Sequence, residues 1–207
     1  MDNEEYKNLK AIIFDFDNTL YDGPIWEAWG KHVREFIDYT FEDGDKFCKE
    51  YNIIDTTNSA EICEILIKLK GTAEEFYNYE SEHIFDYDLS IVNLCDISKL
   101  NLLKNKYKLF IVSNSHINYL KYQMQRFGID SDIFEGIYDN HFYLEDRTKA
   151  YYYKKILNDY NYNPNEVIVI GDSLSKDIKP AQKLNLLNYH VKSLNDTNEI
   201  MVKLLNI

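Results

Sequence analysis

The sequence has few cysteines, and their spacing suits neither a disulfide framework nor a zinc site. The three are Cys48, Cys63 and Cys95, an odd count without a Cys-x-x-Cys pair. Isolated cysteines of this kind are typical of reduced thiols in an intracellular protein. We therefore expect a cytoplasmic location.

Long apolar runs are also missing. No run approaches the roughly 20 apolar residues that a membrane-spanning helix requires. The first ten residues, MDNEEYKNLK, are acidic and polar, so we expect no signal peptide there. Both observations predict that the protein has no membrane partner.

Positive charge is scarce as well. The 23 Lys and Arg residues face 35 Asp and Glu residues, which gives a formal net charge of −12. An acidic surface repels polyanions, so we expect no nucleic acid as a partner. A small phosphorylated metabolite remains compatible with this charge, provided that a metal ion and a few cations make one pocket locally positive. No feature of the sequence favours a particular oligomeric state.

What the sequence does contain is enough apolar material for a folded core, at 45% hydrophobic and 15% aromatic residues. Short apolar runs rich in Ile and Val predict strands that are buried on both faces of a parallel sheet. Each run ends just before a polar, acidic or Gly-Asp step. The runs are Ala11–Phe14, Leu109–Val112 and Val167–Ile170, with weaker candidates at Gly136–Tyr138 and Leu187–Val191.

Helical patterns separate these strands. Ile117, Leu120, Met124 and Phe127 share one helical face, and Gly128 supplies a stop signal. Alternating strands and helices predict an α/β fold with a doubly wound parallel sheet. Ligands of such sheets bind at the carboxyl ends of the strands.

Residues 21–91 interrupt this alternation. They contain no convincing buried strand, and their pattern predicts helices near residues 25–37, 60–70 and 73–84. We therefore predict an α/β core formed by residues 1–20 and 92–207, with residues 21–91 as a helical insertion after the first strand.

Two carboxylates, Asp15 and Asp17, follow the first predicted strand. An acid-x-acid pair alone is a weak signal, because this composition produces roughly six such pairs by chance. Their position is more informative, because burying two carboxylates costs several kcal/mol each unless a cation compensates. The pair therefore predicts a metal site.

A second acidic motif, Gly-Asp-Ser-Leu-Ser-Lys-Asp-Ile, spans residues 171–178 after another predicted strand. Asp172 and Asp177 offer further oxygen ligands of the kind that Mg²⁺ requires. The structural alternative is that Asp172 or Ser173 only caps the next helix.

Together these features resemble the haloacid dehalogenase-like (HAD) hydrolase superfamily. Its four motifs are matched in order by the segment Phe14–Leu20, by Ser113-Asn114, by a lysine ahead of a helix and by the segment Gly171–Ile178. The resemblance covers about residues 9–20 and 92–195. It implies a HAD-like Rossmannoid core, and it makes the insertion similar to the cap of the C1 subgroup.

The resemblance also implies a mechanism. Asp15 would be the nucleophile that forms an aspartyl-phosphate. Asp17 would be the general acid and then the general base. Mg²⁺ would bind Asp15, the backbone carbonyl of Asp17, and Asp172, with Asp177 close by.

The remaining motif residues would handle the phosphoryl group. Ser113 and Asn114 would hydrogen-bond its oxygens. Thr19 is predicted to be a substrate-binding residue as well, and it would hold the loop that places Asp17. The third motif departs from the usual Lys-Pro, because the chain has Arg-Thr-Lys-Ala at residues 147–150. We favour Lys149 as the motif's cation, with Arg147 as the alternative. A second departure is Asn185, which replaces the usual Gly and suits a left-handed helix end.

The implied activity is Mg²⁺-dependent hydrolysis of a small phosphomonoester. Asp17 argues against dehalogenation, because a halide leaves unprotonated. A sugar-phosphate mutase with the same core is the alternative. A non-enzymatic receiver-like phosphoprotein is a distant one, since receivers place their acidic pair and phosphorylated Asp on different strands.

The substrate is less defined. The Asp-Asn-Thr-Leu-Tyr segment looks like that of pyrimidine 5′-nucleotidase-like members, so a nucleoside monophosphate is one candidate, and phosphoglycolate or a phosphosugar is another. Trp26 and Trp29 lie one helical turn apart, and we favour helix packing for them over a role in the substrate pocket. His116 is interpreted as a helix cap or a surface residue.

Overall fold

The computed structural model describes residues 3–54, 72–141 and 148–207, together with the single residues 56, 62, 65, 68 and 69. Strands in the described residues form two sheets. In chain order they are β1 (Ala11–Phe14), β2 (Tyr21–Asp22), β3 (Asn93–Leu94), β4 (Lys108–Ser113), β5 (Gly136–Asp139), β6 (Val167–Gly171) and β7 (Leu187–His190).

The main sheet has five parallel strands in the order β5-β4-β1-β6-β7. Its central strand β1 pairs on one side with β4, where Ile12 faces Leu109, and on the other with β6, where Ile12 faces Ile168. Every residue of β1 and β6 is buried, as the Ile- and Val-rich runs predict. The predicted α/β fold is confirmed.

Eight α-helices lie in the described part of the chain. They are α1 (Ile25–Thr40), α2 (Gly44–Glu50), α3 (Thr72–Glu82), α4 (Ile97–Lys104), α5 (Ile117–Phe127), α6 (Ala150–Asp159), α7 (Lys179–Lys183) and α8 (Leu194–Leu205). A π-helical turn, Leu174–Ile178, leads directly into α7.

Helix α5 shows how local sequence sets these boundaries. It begins after His116, whose Nδ1 accepts a hydrogen bond from the Asn118 amide at 3.1 Å. Leu120 and Met124 are buried against the sheet. The helix ends at Gly128, which adopts φ +70°, a left-handed conformation that glycine enters without steric cost. Asn185 also takes a left-handed conformation, as predicted.

Residues 21–91, called here the helical segment, have a hydrophobic cluster of their own. Val33 and Phe36 of α1 pack in it with Phe47 of α2 and Phe76 of α3. The predicted helices at 25–37 and 73–84 correspond to α1 and α3. Most of the predicted helix at residues 60–70 lies outside the described residues.

Both ends of the helical segment meet in a two-stranded antiparallel ribbon, β2 with β3, called here the linker ribbon. Tyr21 pairs with Leu94 and Asp22 with Asn93, and the Asn93 side-chain amide donates to an Asp22 carboxylate oxygen at 2.8 Å. The two ends of the helical segment therefore lie close together, next to the loop that follows β1.

None of the described helices combines the length and the apolar character needed to cross a bilayer.

Candidate active site

The loop after β1 places Asp15 and Asp17 at the carboxyl edge of the sheet. The Asp15 amide donates to the carbonyl of Ile170 at 2.9 Å, which continues the pairing of β1 with β6. Asn18 then adopts φ 56°, a left-handed conformation that Asn tolerates better than most residues. This turn brings the chain back, so that the Leu20 amide donates to the carbonyl of Phe16 at 3.0 Å.

Lys149 lies at the start of α6 and reaches into the same edge. Its Nζ donates to Asp15 Oδ1 and to Asp177 Oδ1, both at 2.6 Å. All three side chains are buried. The structure thus places Lys149, the favoured cation of the third motif, against the predicted nucleophile. The alternative, Arg147, lies outside the described residues.

Asp15, Asp172 and Asp177 form a carboxylate cluster, with one oxygen of each lying within 4.8 Å of the others. Asp177 is held in the cluster by the Ser173 amide, which donates to its Oδ2 at 2.9 Å. The three carboxylates face one ammonium, that of Lys149, so two negative charges remain uncompensated among these groups. Buried oxygen ligands with an excess of two negative charges suit a divalent cation.

The electrostatics of the cluster point the same way. Burial raises the pKa of Asp15 well above its ordinary value, and the nearby Asp177 carboxylate adds to the effect, whereas Lys149 opposes it. Burial and Asp177 also raise the pKa of Asp172. Burial alone would lower the pKa of Lys149, but the Asp15 and Asp177 carboxylates raise it overall, so the lysine stays charged. A bound cation would lower the pKa values of these carboxyl groups and so favour their ionised form.

Asp17 stands apart from the cluster and is held by hydroxyl groups. Tyr21 donates to its Oδ1 at 2.5 Å. Ser115 donates to its Oδ2 at 2.6 Å, and Ser113 contacts the same oxygen at 3.3 Å. Burial raises the pKa of the Asp17 carboxyl, and the hydrogen bonds from Ser115 and Tyr21 oppose that shift. A raised pKa favours the protonated carboxyl, which is the form in which a general acid acts.

Ser113 is the last residue of β4 and Asn114 follows it, at the carboxyl edge of the sheet where they were predicted. The Ser113 hydroxyl also accepts from the Ser115 amide at 3.0 Å. The Asn140 side-chain amide donates to Asn114 Oδ1 at 2.9 Å, which leaves the Asn114 NH₂ group to donate elsewhere. Both Ser113 and Asn114 line the cavity above the carboxylate cluster.

Thr19 does not belong with the substrate-binding residues. Its side chain is fully buried and is not among the residues that line the cavity. Its backbone carbonyl accepts from the Thr197 hydroxyl at 2.9 Å, which ties the loop after β1 to α8. This placement corrects the grouping of Thr19 with Ser113 and Asn114, and it suits the other predicted role, holding the loop.

The cavity extends from the carboxylate cluster to the helical segment. Residues from both parts of the chain line it: Asp15, Asp17, Asn18, Ile25, Trp26, Trp29, His32, Glu80, His83, Ile84, Phe85, Ser113, Asn114, Ser115, His116, Tyr119, Lys149, Asp172, Ser173, Lys176 and Asp177.

The two tryptophans do more than pack helices, contrary to the favoured interpretation. Trp26 is 44% exposed and lines the cavity. Trp29 lines it too, while also packing edge-on against Phe76 at a centroid distance of 6.2 Å. His116 caps α5 as predicted, but it is buried and not on the surface.

Sequence reasoning missed the groups that hold Asp17. Ser115 lies two residues after Ser113, and Tyr21 lies four residues after Asp17. Neither has a pattern that marks it, because their contacts depend on how the loops after β1 and β4 meet. Tyr119 was also missed, because it is not among the residues of the apolar face that the sequence predicts for this helix.

Comparison with known families identifies the family of the chain. A family model described as haloacid dehalogenase-like hydrolase matches residues 12–191. The chain belongs to the haloacid dehalogenase-like hydrolases. No curated protein matches its sequence. The match spans β1 through β7 and therefore includes the cavity-lining residues given above.

Solved HAD structures are similar over almost the whole chain. A protein described as a phosphoglycolate phosphatase predicted for Haemophilus somnus is 16% identical, with a TM-score of 0.60 over 95% of this chain and 98% of that one. The HAD hydrolase YfnB of Bacillus subtilis, bound to magnesium, is 18% identical, with a TM-score of 0.58 over 97% and 100%. A HAD phosphatase of Thermococcus onnurineus is 17% identical, with a TM-score of 0.54 over 93% and 98%. At these identities the likeness shows the fold.

Proposed function

We propose that this HAD hydrolase is a Mg²⁺-dependent phosphatase, which hydrolyses a small phosphomonoester through an aspartyl-phosphate on Asp15. The observation that carries the proposal is the division of the carboxylates into two groups. Asp15 lies in the cluster with Asp172 and Asp177, beside Lys149, whereas Asp17 is held separately by hydroxyl groups. Nucleophilic attack and proton transfer require two such different environments.

The residues of the cluster fit Mg²⁺. Asp15, Asp172 and the backbone carbonyl of Asp17 would hold the ion, with Asp177 close by, and a structural neighbour binds the same metal. When bound, Mg²⁺ neutralises charge on the phosphoryl oxygens and keeps the Asp15 carboxylate ionised.

The chain's own groups would then carry out two steps. The Asp15 carboxylate attacks phosphorus, the ester bond to the leaving oxygen breaks, and Asp17 gives that oxygen its proton. In the second step Asp17 takes a proton from water, which attacks the aspartyl-phosphate and releases inorganic phosphate. Lys149, Ser113 and Asn114 hold the phosphoryl oxygens, which is where charge must be stabilised.

The part of the cavity lined by the helical segment makes a nucleoside monophosphate the first substrate class to test. Trp26, Trp29 and Phe85 present aromatic surface there, which suits the flat base of a nucleoside.

A phosphate-release assay over a broad panel of phosphomonoesters tests the proposal. We expect release in Mg²⁺, loss of release in excess chelator, and no release by Asp15→Asn. Full activity of the metal-free protein would contradict the mechanism. Isomerisation of a hexose phosphate without release of phosphate would instead support the mutase alternative.

A further inference from the structure

The two oxygens of the Asp17 carboxylate have different surroundings. Oδ1 accepts from Tyr21, whose side chain is fully buried and does not line the cavity. Oδ2 accepts from Ser115 and Ser113, which both line the cavity. One oxygen therefore faces the protein interior, and the other faces the side from which a substrate enters.

The buried side is a chain of three tyrosines. The Tyr21 hydroxyl lies 2.9 Å from that of Tyr119, which lies 3.3 Å from that of Tyr87. An ionised carboxylate can only accept hydrogen bonds, so the single hydroxyl proton of Tyr21 must be donated to Asp17. Tyr119 must then donate to Tyr21, and Tyr87 to Tyr119. All three donate in one direction, towards Oδ1, and such chains reinforce one another.

The two oxygens consequently differ in how readily they can take up a proton. A proton on Oδ1 would compete with the hydrogen bond that Tyr21 donates there from the buried interior. The donors to Oδ2 are the Ser115 and Ser113 hydroxyls, and both line the cavity, so each can turn towards the cavity when Oδ2 carries a proton.

We propose that Tyr21 is a positioning residue, which holds Oδ1 of Asp17 and so reserves Oδ2 for proton exchange with the leaving group and with water. This inference rests on the proposed function, because it requires Asp17 to be the general acid. Tyr21 contacts no substrate; it acts by fixing the plane of the carboxylate. Tyr119 supports it from the next position along the chain.

Substrates with different leaving groups test this role. An alkoxide needs a proton in order to leave, whereas the acidic phenol of 4-nitrophenyl phosphate does not. General acid catalysis contributes about 10²–10⁴-fold, so we expect Tyr21→Phe to lower kcat/KM by at least about tenfold for the alkyl monoester that the wild-type protein hydrolyses fastest. For 4-nitrophenyl phosphate we expect a loss below about threefold, because that ester does not use the acid.

The matched control is Tyr107→Phe. Tyr107 is a buried tyrosine whose hydroxyl donates to the Leu204 carbonyl at 2.9 Å, and it does not line the cavity. It should lose a similar amount of melting temperature while kcat/KM stays unchanged for both substrates. If Tyr21→Phe does not fold, Tyr119→Phe should show the same selective loss at smaller size.

A double-mutant cycle with Asp17→Asn completes the test. If Tyr21 acts through Asp17, adding Tyr21→Phe to Asp17→Asn should cause no further selective loss. An equal loss on both substrates, or the same loss without the Asp17 carboxylate, would overturn the role of Tyr21 and leave Asp17 as the acid. If Asp17→Asn itself failed to distinguish the two esters, the proposed function would fall, and the inference with it.

Discussion

The carboxylates of the cluster lower the stability of the folded protein, although the proposed reaction requires them. Asp15, Asp172 and Asp177 repel one another around Lys149, and burial raises the pKa of Asp15. A carboxyl whose pKa is raised on folding stabilises the protein below its ordinary pKa, and that stability is lost as pH rises through the raised value. The metal-free protein should therefore have a lower free energy of unfolding at neutral pH than it would have if Asp15 were uncharged.

Asp15→Asn tests this balance. The amide is not a nucleophile, so turnover should disappear, while the melting temperature in chelator should rise because one repelling carboxylate is gone. Because the ionised Asp15 carboxylate destabilises the protein more as pH rises, the gain in melting temperature should be larger near about pH 8 than near about pH 5. Thermal melts in chelator at both pH values measure it. Turnover within about tenfold of wild type would contradict the assignment of Asp15 as nucleophile.

Lys149→Met should have the opposite effect on stability. Removing one partner of a buried ion pair costs about 3–5 kcal/mol, because it leaves uncompensated buried charge. The control is Lys155→Met, since Lys155 pairs with Asp159 on the exposed face of the same helix. Denaturant unfolding of both variants should show a large loss of unfolding free energy for Lys149→Met and little change for the control. Equal losses would contradict a central role for Lys149.

The residues that sequence could predict are those whose position follows from a strand. Asp15 and Asp172 come directly after buried strands, so the parallel sheet itself brings them together. The contacts of Tyr21 and Ser115 with Asp17 could not be predicted, because they form only when the loops after β1 and β4 come together in the folded protein. Thr19 was grouped with the substrate-binding residues for a related reason. The motif predicts that Thr19 lies near the site, but only the structure shows that its side chain is buried and that its loop is held by α8.

Among the secondary-structure elements, α1 carries the residues best placed to select a substrate. Trp26 lies in the cavity, whereas the carboxylate cluster addresses only the phosphoryl group and the metal. Trp26→Ala should therefore change relative kcat/KM across a panel of monoesters by about tenfold, since pocket contacts discriminate by amounts of this order. Hydrolysis of a small aryl phosphate should change far less.

Tyr39→Ala is the control for this prediction. Tyr39 lies on the same helix, is 77% exposed, and is not among the cavity-lining residues. The substrate ranking should be unchanged in this variant. A ranking that Trp26→Ala left untouched, but that Asn114→Ala reordered, would place selectivity in the core instead of in α1.

Element prediction succeeded where a pattern was long enough. The three central strands of the main sheet, β4, β1 and β6, have clear apolar runs, α5 has a clear apolar face, and Gly128 marks where α5 ends. The linker ribbon was missed because β2 and β3 are two residues each, and a pair of such length has no periodicity. Its existence depends on the helical segment folding back on itself, which is a tertiary event.

At the scale of the whole molecule, bound metal should act as part of the fold. A ligand that binds only the native state stabilises it by about 2.7 kcal/mol at a concentration 100 times its Kd. We therefore expect Mg²⁺ to raise the melting temperature of the wild-type protein, and NaCl of equal ionic strength to raise it much less. Asp172→Asn should lose most of this increase while remaining folded.

Calcium should distinguish metal binding, measured by melting temperature, from catalysis, measured by turnover. It should also raise the melting temperature, because it binds the same carboxylate oxygens. It should support little turnover, because its larger and looser coordination shell holds the nucleophile less strictly in line. Turnover in Ca²⁺ equal to that in Mg²⁺ would contradict this account of the metal.

The central position of β1 has a consequence for synthesis on the ribosome. Ile12 pairs with Leu109, 97 residues later, and with Ile168, 156 residues later. At about 5–20 residues per second, the second partner is translated roughly 8–30 s after β1. During that interval Ala11–Phe14, which is wholly apolar and buried in the finished protein, has at least one unsatisfied edge. Nascent chains should therefore depend on chaperones that shield this strand, and slowing translation between residues 109 and 168 should increase aggregation.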